Sequence, residues 1–227
     1  MRLKIKGDII DNDRKWIYDL FEIDATCPKD VDAILDACEE GEPLDVEISS
    51  GGGMIHAGSE IYTALLDYKK GPVTIKVTGL AASAASVIAM AGRCEMSPTA
   101  LMMIHNVSGG ARGDYRDMEH FAEVLRTANE SLVTAYARKT GMDRKELARM
   151  MDKETWITAE RAVELGFADA IIGDAEIEPL VASTGLTINP EAIEKIRAMM
   201  RAKEAEDTKT KKARAWVELE MLKGAEK

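Results

Sequence analysis

Strand-like and helix-like segments alternate along most of the chain, and this alternation is the feature that most restricts its fold. The strand-like segments read RLKIKGDI, LDVEIS, PVTIKVTG and LMMIHNVSG. The helix-like segments read PKDVDAILDACEEG, MIHAGSEIYTALLDYKKG, LAASAASVIAMAG, DYRDMEHFAEVLRTANESLVTAYARKTG and DRKELARMMD. A turn, a helix and a last strand are expected within ETWITAERAVELGFADAII. Regular alternation of this kind predicts an α/β fold with a mainly parallel sheet covered by helices.

The composition changes near residue 175, which predicts two parts. Residues 1–175 are expected to form one domain. Residues 176–227 begin with a loose connector and continue as a highly charged segment with few apolar anchors. We expect this second part to be a charged, helical C-terminal tail without chemistry of its own.

Charge and cysteine content exclude several functional classes. The net charge of -10 and a pI near 5.0 argue against a protein that binds nucleic acid or anionic lipid. Cys27, Cys38 and Cys94 lie far apart, without metal-ligand spacing, which favours free thiols in a reducing compartment. The N-terminus lacks the apolar core of a signal peptide, and no apolar run reaches about 18 residues. We therefore expect a cytoplasmic protein with no membrane segment, metal or cofactor.

Three glycines, Gly51 to Gly53, follow the second strand-like segment and precede a helix. Their backbone N–H groups are uncovered by side chains and suit a negative charge, either a bound phosphate or a transient oxyanion. The spacing does not match the common nucleotide-binding motifs. A plain tight turn explains the glycines equally well.

Two serines lie in the small-residue stretch GLAASAASVIAMAG. We expect Ser83 in the first turn of a helix, where developing negative charge is favoured. Its alanine neighbours are expected to leave room for another chain. A helix cap is the alternative for Ser83. For Ser86 a structural role is favoured, with its hydroxyl bonded to the carbonyl four residues earlier.

The chain has only three histidines. His105 ends an apolar strand-like segment, where a structural role is the common one. His120 reads as a surface residue of a charged helix, and His56, after the glycines, stays ambiguous. A serine, a histidine and a carboxylate at separate strand ends meet the needs of nucleophilic acyl transfer, but spacing alone does not bring them together.

The motifs resemble those of the ClpP-type serine peptidases. GLAASAAS resembles the nucleophile motif, MIHN the histidine motif, and SSGGGMIHAGSEIY the oxyanion strand, with Gly51 where the family usually has proline. The resemblance extends from about residue 5 to residue 173 and is greatest to the ClpP-like proteases of tailed phages and prophages, which process capsid or scaffold proteins.

This resemblance implies a ClpP/crotonase-like fold of repeated β-β-α units and a serine endopeptidase. It implies Ser83 as nucleophile, His105 as base, and the backbone N–H groups of Gly53 and Ala84 as the oxyanion hole. The family's acid, an aspartate two residues before an aromatic, corresponds to Glu154, counted back from Trp156. Asp152 is the second choice for the acid.

The resemblance also implies a homo-oligomeric ring of six or seven subunits, single or stacked. The expected apolar stripe on the helix from Tyr115 to Lys139 agrees with this, because one domain need not bury it alone. Three alternatives stay open: a crotonase-like enzyme acting on acyl-CoA thioesters, an inactive assembly protein of the same fold, and, less favoured, a Ser/Lys dyad.

Overall fold

The computed structural model describes residues 1–174. The predicted tail, residues 176–227, lies outside the described residues, and its helical character stays a prediction. None of the helices within residues 1–174 combines the length and apolarity that a membrane-spanning segment needs.

The predicted alternation of strands and helices is confirmed. The strands of the described region are Arg2–Ile9 (β1), Ala25–Thr26 (β2), Leu44–Gly53 (β3), Val73–Ala82 (β4), Arg93–Met96 (β5), Leu101–Ile104 (β6), Thr155–Thr158 (β7) and Ala170–Ile171 (β8). Its α-helices are Lys15–Leu20 (α1), Pro28–Ala37 (α2), Ile55–Leu66 (α3), Ala84–Ala89 (α4), Tyr115–Thr140 (α5), Arg144–Asp152 (α6) and Ala159–Glu164 (α7).

The strands form one mainly parallel sheet, as predicted. Its main path runs β2-β1-β3-β4-β5-β8, and every neighbouring pair on this path is parallel. The strand β6 leaves this path: it pairs in parallel with the last residues of β4 and in antiparallel fashion with β7. Because parallel strands need crossover connections, helices cover the sheet between them.

The core lies where β1, β3 and β4 meet the helices α3 and α4. Alternate residues of β1 and β3 are buried, as the period of a strand requires. Fully buried side chains of this core include those of Ile5, Ile48, Ile75, Ile61, Leu65 and Ile88. The burial of these side chains holds the carboxyl ends of β3 and β4 side by side.

The two central strands run further than the sequence indicated. The strand β3 was expected to end before the glycines, but it continues to Gly53 by pairing with β1. The strand β4 continues to Ala82, although the sequence predicted that Leu80 to Ala82 begin a helix. Both pairings shift in register near these ends, which lets a ladder continue through residues with no strong strand preference.

The long helix α5 agrees with its predicted range within one residue. It begins at an Asp114 cap, whose side chain accepts from two backbone N–H groups, and ends at Gly141 in the left-handed conformation. Its buried residues, Val133, Ala135 and Tyr136, all lie in the second half. The first half has no buried residue and is exposed or half-buried within the described part of the chain.

Candidate active site

Ser83 occupies a sharp turn between β4 and α4. Its backbone angles are φ 54° and ψ -125°, a conformation that costs a residue with a side chain roughly 1–3 kcal/mol. The prediction that Ser83 lies within the first helical turn was wrong: it directly precedes the helix, which begins at Ala84. The turn leaves the Ser83 side chain half-buried instead of enclosed in the core.

The structure brings His105 to Ser83. His105 follows the last residue of β6, and its Nε2 atom lies 2.8 Å from Ser83 Oγ. The residues after His105 are also held: Asn106 Nδ2 donates to Asp152 Oδ1 at 2.8 Å, and the Val107 N–H donates to Asn129 Oδ1 at 2.7 Å. An imidazole at this distance can accept the proton of the hydroxyl.

The glycine-rich end of β3 lies against the Ser83 turn. A Cβ atom added to Gly52, whose φ is +96°, would lie 2.6 Å from Ser83 Cβ and 3.0 Å from the backbone N of Ala84. Only glycine permits this approach. The predicted oxyanion donors, the N–H groups of Gly53 and Ala84, therefore belong to segments that meet at Ser83.

Ser50, which sequence reasoning missed, supports this approach. Its buried hydroxyl donates to the Gly7 carbonyl at 2.6 Å and accepts from the Gly52 N–H at 3.1 Å. The Gly52 N–H is thereby engaged within β3. A serine preceding a run of glycines was the available signal, because a short hydroxyl can satisfy backbone groups that glycine leaves exposed.

The two candidate acids are not brought to His105. Glu154 Oε1 accepts from Trp156 Nε1 at 3.3 Å, and Asp152 is bonded to Asn106. Within residues 1–174 no hydrogen bond joins His105 to either carboxylate. The antiparallel register of β6 and β7 pairs Ile104 with Thr155. Extended by one residue beyond the strands, this register sets Glu154 opposite His105.

The small residues around Ser83 fill the core. Ala81, Ala82, Ala84 and Ala85 are all buried, which contradicts the expectation that they leave space for an approaching chain. Ala84 packs against Gly58 of α3, where an added Cβ atom would lie 2.9 Å from the Ala84 methyl group. Their size serves the close packing of α4 against the sheet and α3.

Ser86 is buried and makes two hydrogen bonds. Its Oγ atom bonds to the Ser83 carbonyl at 2.7 Å and to Tyr136 Oη at 2.8 Å. The predicted bond to the carbonyl four residues earlier was wrong, because the serine reaches back three residues to the turn itself. Burial raises the pKa of Tyr136, which keeps its hydroxyl protonated, although the bond to Ser86 acts in the opposite direction.

The other two histidines belong to the helices α3 and α5. His56 and His120 are exposed and line one groove of about 470 Å³ between α3 and α5. Neither imidazole is hydrogen-bonded to Ser83 within the described residues. Within residues 1–174, no group of three or more histidine, cysteine, aspartate or glutamate side chains is arranged to hold a metal ion.

The strand ends gather the site on one edge of the sheet. The glycines end β3, Ser83 follows β4 and His105 follows β6, all at carboxyl ends, where open α/β sheets place their ligands. The fold and the site define an α/β protein with a serine–histidine pair at the carboxyl edge of a parallel sheet.

Comparison with known proteins identifies the family. The profile described as Clp protease matches residues 23–175, which are 153 of the 227 residues. The chain belongs to the Clp protease family.

Named relatives agree with this assignment. The ATP-dependent Clp protease proteolytic subunit 1 of Chlamydia abortus is 33% identical over 144 residues, 61% of this chain and 74% of the relative. The protein of the same name from Protochlamydia amoebophila is 34% identical over 148 residues, 63% and 71% of the two chains. The ATP-dependent Clp protease proteolytic subunit of Bacteroides fragilis is 33% identical over 141 residues, 61% and 68%.

Proposed function

We propose that the protein is a serine endopeptidase in which Ser83 is the nucleophile and His105 the general base. The Ser83 oxygen attacks the peptide carbonyl carbon while His105 Nε2 accepts the hydroxyl proton. His105 then returns that proton to the leaving amine, which leaves an acyl-enzyme. Water attacks the ester by the same route, and its proton passes through His105 to Ser83. The observation that carries this proposal is the 2.8 Å distance between Ser83 Oγ and His105 Nε2.

The negative charge of the tetrahedral intermediate needs hydrogen-bond donors that are already in place. We assign this role to the backbone N–H groups of Gly53 and Ala84. The close approach of Gly52 to Ser83 and Ala84 supports the assignment, since it holds the end of β3 beside the nucleophile.

We propose Glu154 as the acid that orients His105, with Asp152 as the second choice. The register of β6 and β7, which aligns Glu154 with His105, supports Glu154. Asp152 is already engaged by Asn106. In this proposal Glu154 exchanges its contact with the exposed Trp156 for the imidazole during catalysis.

The experiment that tests the activity compares two substrate classes. The wild-type protein and His105→Ala are incubated with a fluorogenic peptide library and with acyl-CoA thioesters. We expect peptide hydrolysis that the substitution abolishes. Hydrolysis of thioesters alone, unaffected by the substitution, would favour the crotonase-like alternative, and inactivity on both would favour an assembly protein. The Ser83–His105 bond favours the peptidase, because a crotonase-like enzyme needs neither side chain.

The resemblance to phage and prophage enzymes supports a narrower role, the processing of capsid or scaffold proteins by a ring of six or seven subunits. We place this ring in the cytoplasm of a bacterium or a phage-infected cell. The three cysteines, all free and buried, suit that reducing compartment. Cleavage of purified scaffold and capsid proteins, mapped by mass spectrometry, tests this role. If the protein hydrolyses peptides but leaves the scaffold and capsid proteins intact, the proposal is limited to a general peptidase activity.

A further inference from the structure

Tyr136, in the second half of α5, is connected to the Ser83 turn by two consecutive hydrogen bonds. The Tyr136 hydroxyl lies 2.8 Å from Ser86 Oγ, and Ser86 Oγ lies 2.7 Å from the Ser83 carbonyl oxygen. Tyr136 is 1% exposed and Ser86 is fully buried. Water therefore does not compete for these bonds, which makes each of them stronger than a bond at the surface.

The directions of both bonds follow from proton counting. A carbonyl oxygen only accepts, so Ser86 donates its single hydroxyl proton to Ser83. The Ser86 oxygen must then accept from Tyr136. The Tyr136 ring is fixed in turn by an edge-on contact with Phe167, at 5.8 Å between ring centroids. Tyr136 on α5 thus donates to Ser86, and Ser86 donates to the Ser83 carbonyl in the turn.

The acceptor of this chain belongs to a strained residue. The Ser83 carbonyl also accepts from the backbone N–H groups of Ser86, at 3.0 Å, and Val87, at 3.4 Å. The positive φ of Ser83 persists only if its surroundings over-determine it. The backbone bonds are those that any helix start provides. The bond from the Ser86 hydroxyl is the additional one, and Tyr136 orients it.

We propose that Ser86 and Tyr136 are positioning residues, which hold the Ser83 turn in the conformation that presents its hydroxyl to His105. They act through Ser83 and touch no substrate. The inference rests on the proposed function, in which Ser83 is the nucleophile. It gives α5 a direct connection to the reacting group, since a displacement of Tyr136 removes support from the turn.

Three variants test this inference. Tyr136→Phe removes only the hydroxyl and keeps the ring beside Phe167, Ser86→Ala removes both bonds, and Tyr68→Phe is the matched control. The Tyr68 hydroxyl donates to the Glu42 carbonyl at 3.3 Å, away from the site. Peptide kcat and KM, the rate at which a fluorophosphonate modifies Ser83, and thermal melting are measured for each full-length variant.

We expect kcat and the labelling rate to fall roughly 2- to 10-fold in Tyr136→Phe, the effect of one hydrogen bond, with KM unchanged. Ser86→Ala should lose more, and Tyr68→Phe should match the wild type. A purely structural role would lower the melting temperature and leave kcat and labelling intact below it. That result in Tyr136→Phe overturns the inference, whether or not Ser86→Ala folds, while the proposed function stands. A wild type that neither hydrolyses peptides nor is labelled overturns both.

Discussion

The backbone N–H of Ser83 donates to the carbonyl of Met103 at 2.9 Å. Met103 precedes His105 by two residues. This bond continues the parallel pairing of β4 with β6, in which Ala82 lies opposite Met103. The distance between the serine and the histidine is thus set by the register of two strands. Because the backbone fixes both residues, replacing one side chain should leave the other in place.

Gly52→Ala should strongly reduce peptide hydrolysis. The added methyl group would lie 2.6 Å from Ser83 Cβ and 2.7 Å from the Ala82 carbonyl, at a φ of +96°. The turn that carries Ser83 must therefore move. Gly51→Ala is the matched control, because nothing lies within 4 Å of its added methyl group. The measurement is kcat/KM for both variants. Equal values would show that the close contact of Gly52 with Ser83 is not needed for catalysis.

The two acid candidates are distinguished by Glu154→Gln and Asp152→Asn. Loss of the orienting charge costs about 10⁴-fold in a well-studied triad, and we expect a loss of several orders of magnitude for Glu154→Gln. Asp152→Asn should retain most activity, since the new amide keeps an oxygen for the Asn106 side chain. The measurement is kcat on one peptide substrate. The reverse outcome would make Asp152 the acid, and no effect from either change would indicate a Ser–His dyad.

Lys70→Met should destabilise the fold without affecting the site. The Lys70 ammonium donates to the carbonyls of Leu35, Asp36 and Cys38, at 3.0 to 3.1 Å, where α2 ends. Loss of a cation at a helix C-terminus should lower the free energy of unfolding by about 1–2 kcal/mol in urea denaturation.

Lys69→Met is the control for this change. Its amino group lies 3.6 Å from Asp67, and both side chains are largely exposed, so the pair contributes little. Equal stability of the two variants would contradict the assigned role of Lys70.

The fold was largely predictable, because the periodicity of buried residues reports long elements directly. The helix α5 and the strand β1 are examples, each within one residue of its expected range. The short strands β5 and β7 were missed, since their four residues each are too few to show a period. Leu80 to Ala82 were misread as helix because alanine favours helices, and pairing with β6 overrides that preference.

Ser83 and His105 could be named as candidates from the sequence motifs, but their geometry could not be predicted. That Ser83 and His105 lie together follows from the register of β4 and β6, which the sequence does not display. The packing of Ala84 against Gly58 and the bond between Ser86 and Tyr136, 50 positions apart, join residues that are distant in the sequence. Local patterns carry no information on such contacts.

The predicted ring has a structural counterpart in the exposed first half of α5. Val124 of the predicted stripe is 46% exposed, and its neighbours on the same face, Phe121 and Leu125, are only half-buried, which leaves apolar surface for contact with another subunit. Sedimentation should give a species of six or seven times the monomer mass of 24.9 kDa, or twice that if two rings stack. Val124→Glu should weaken this assembly, and Glu123→Gln, beside it, should not. A monomer at every concentration would contradict the ring.

Covalent labelling of Ser83 tests the central claim most directly. A fluorophosphonate reacts with a serine hydroxyl only if a base activates it. We expect one labelled peptide containing Ser83 from the wild-type protein and no label in Ser83→Ala. Ser97→Ala should be labelled at the wild-type rate, since the Ser97 side chain is bonded to Thr99 and not to His105 within residues 1–174. Absence of label from the folded wild type, or label that persists in Ser83→Ala, would contradict the assignment of Ser83 as the nucleophile.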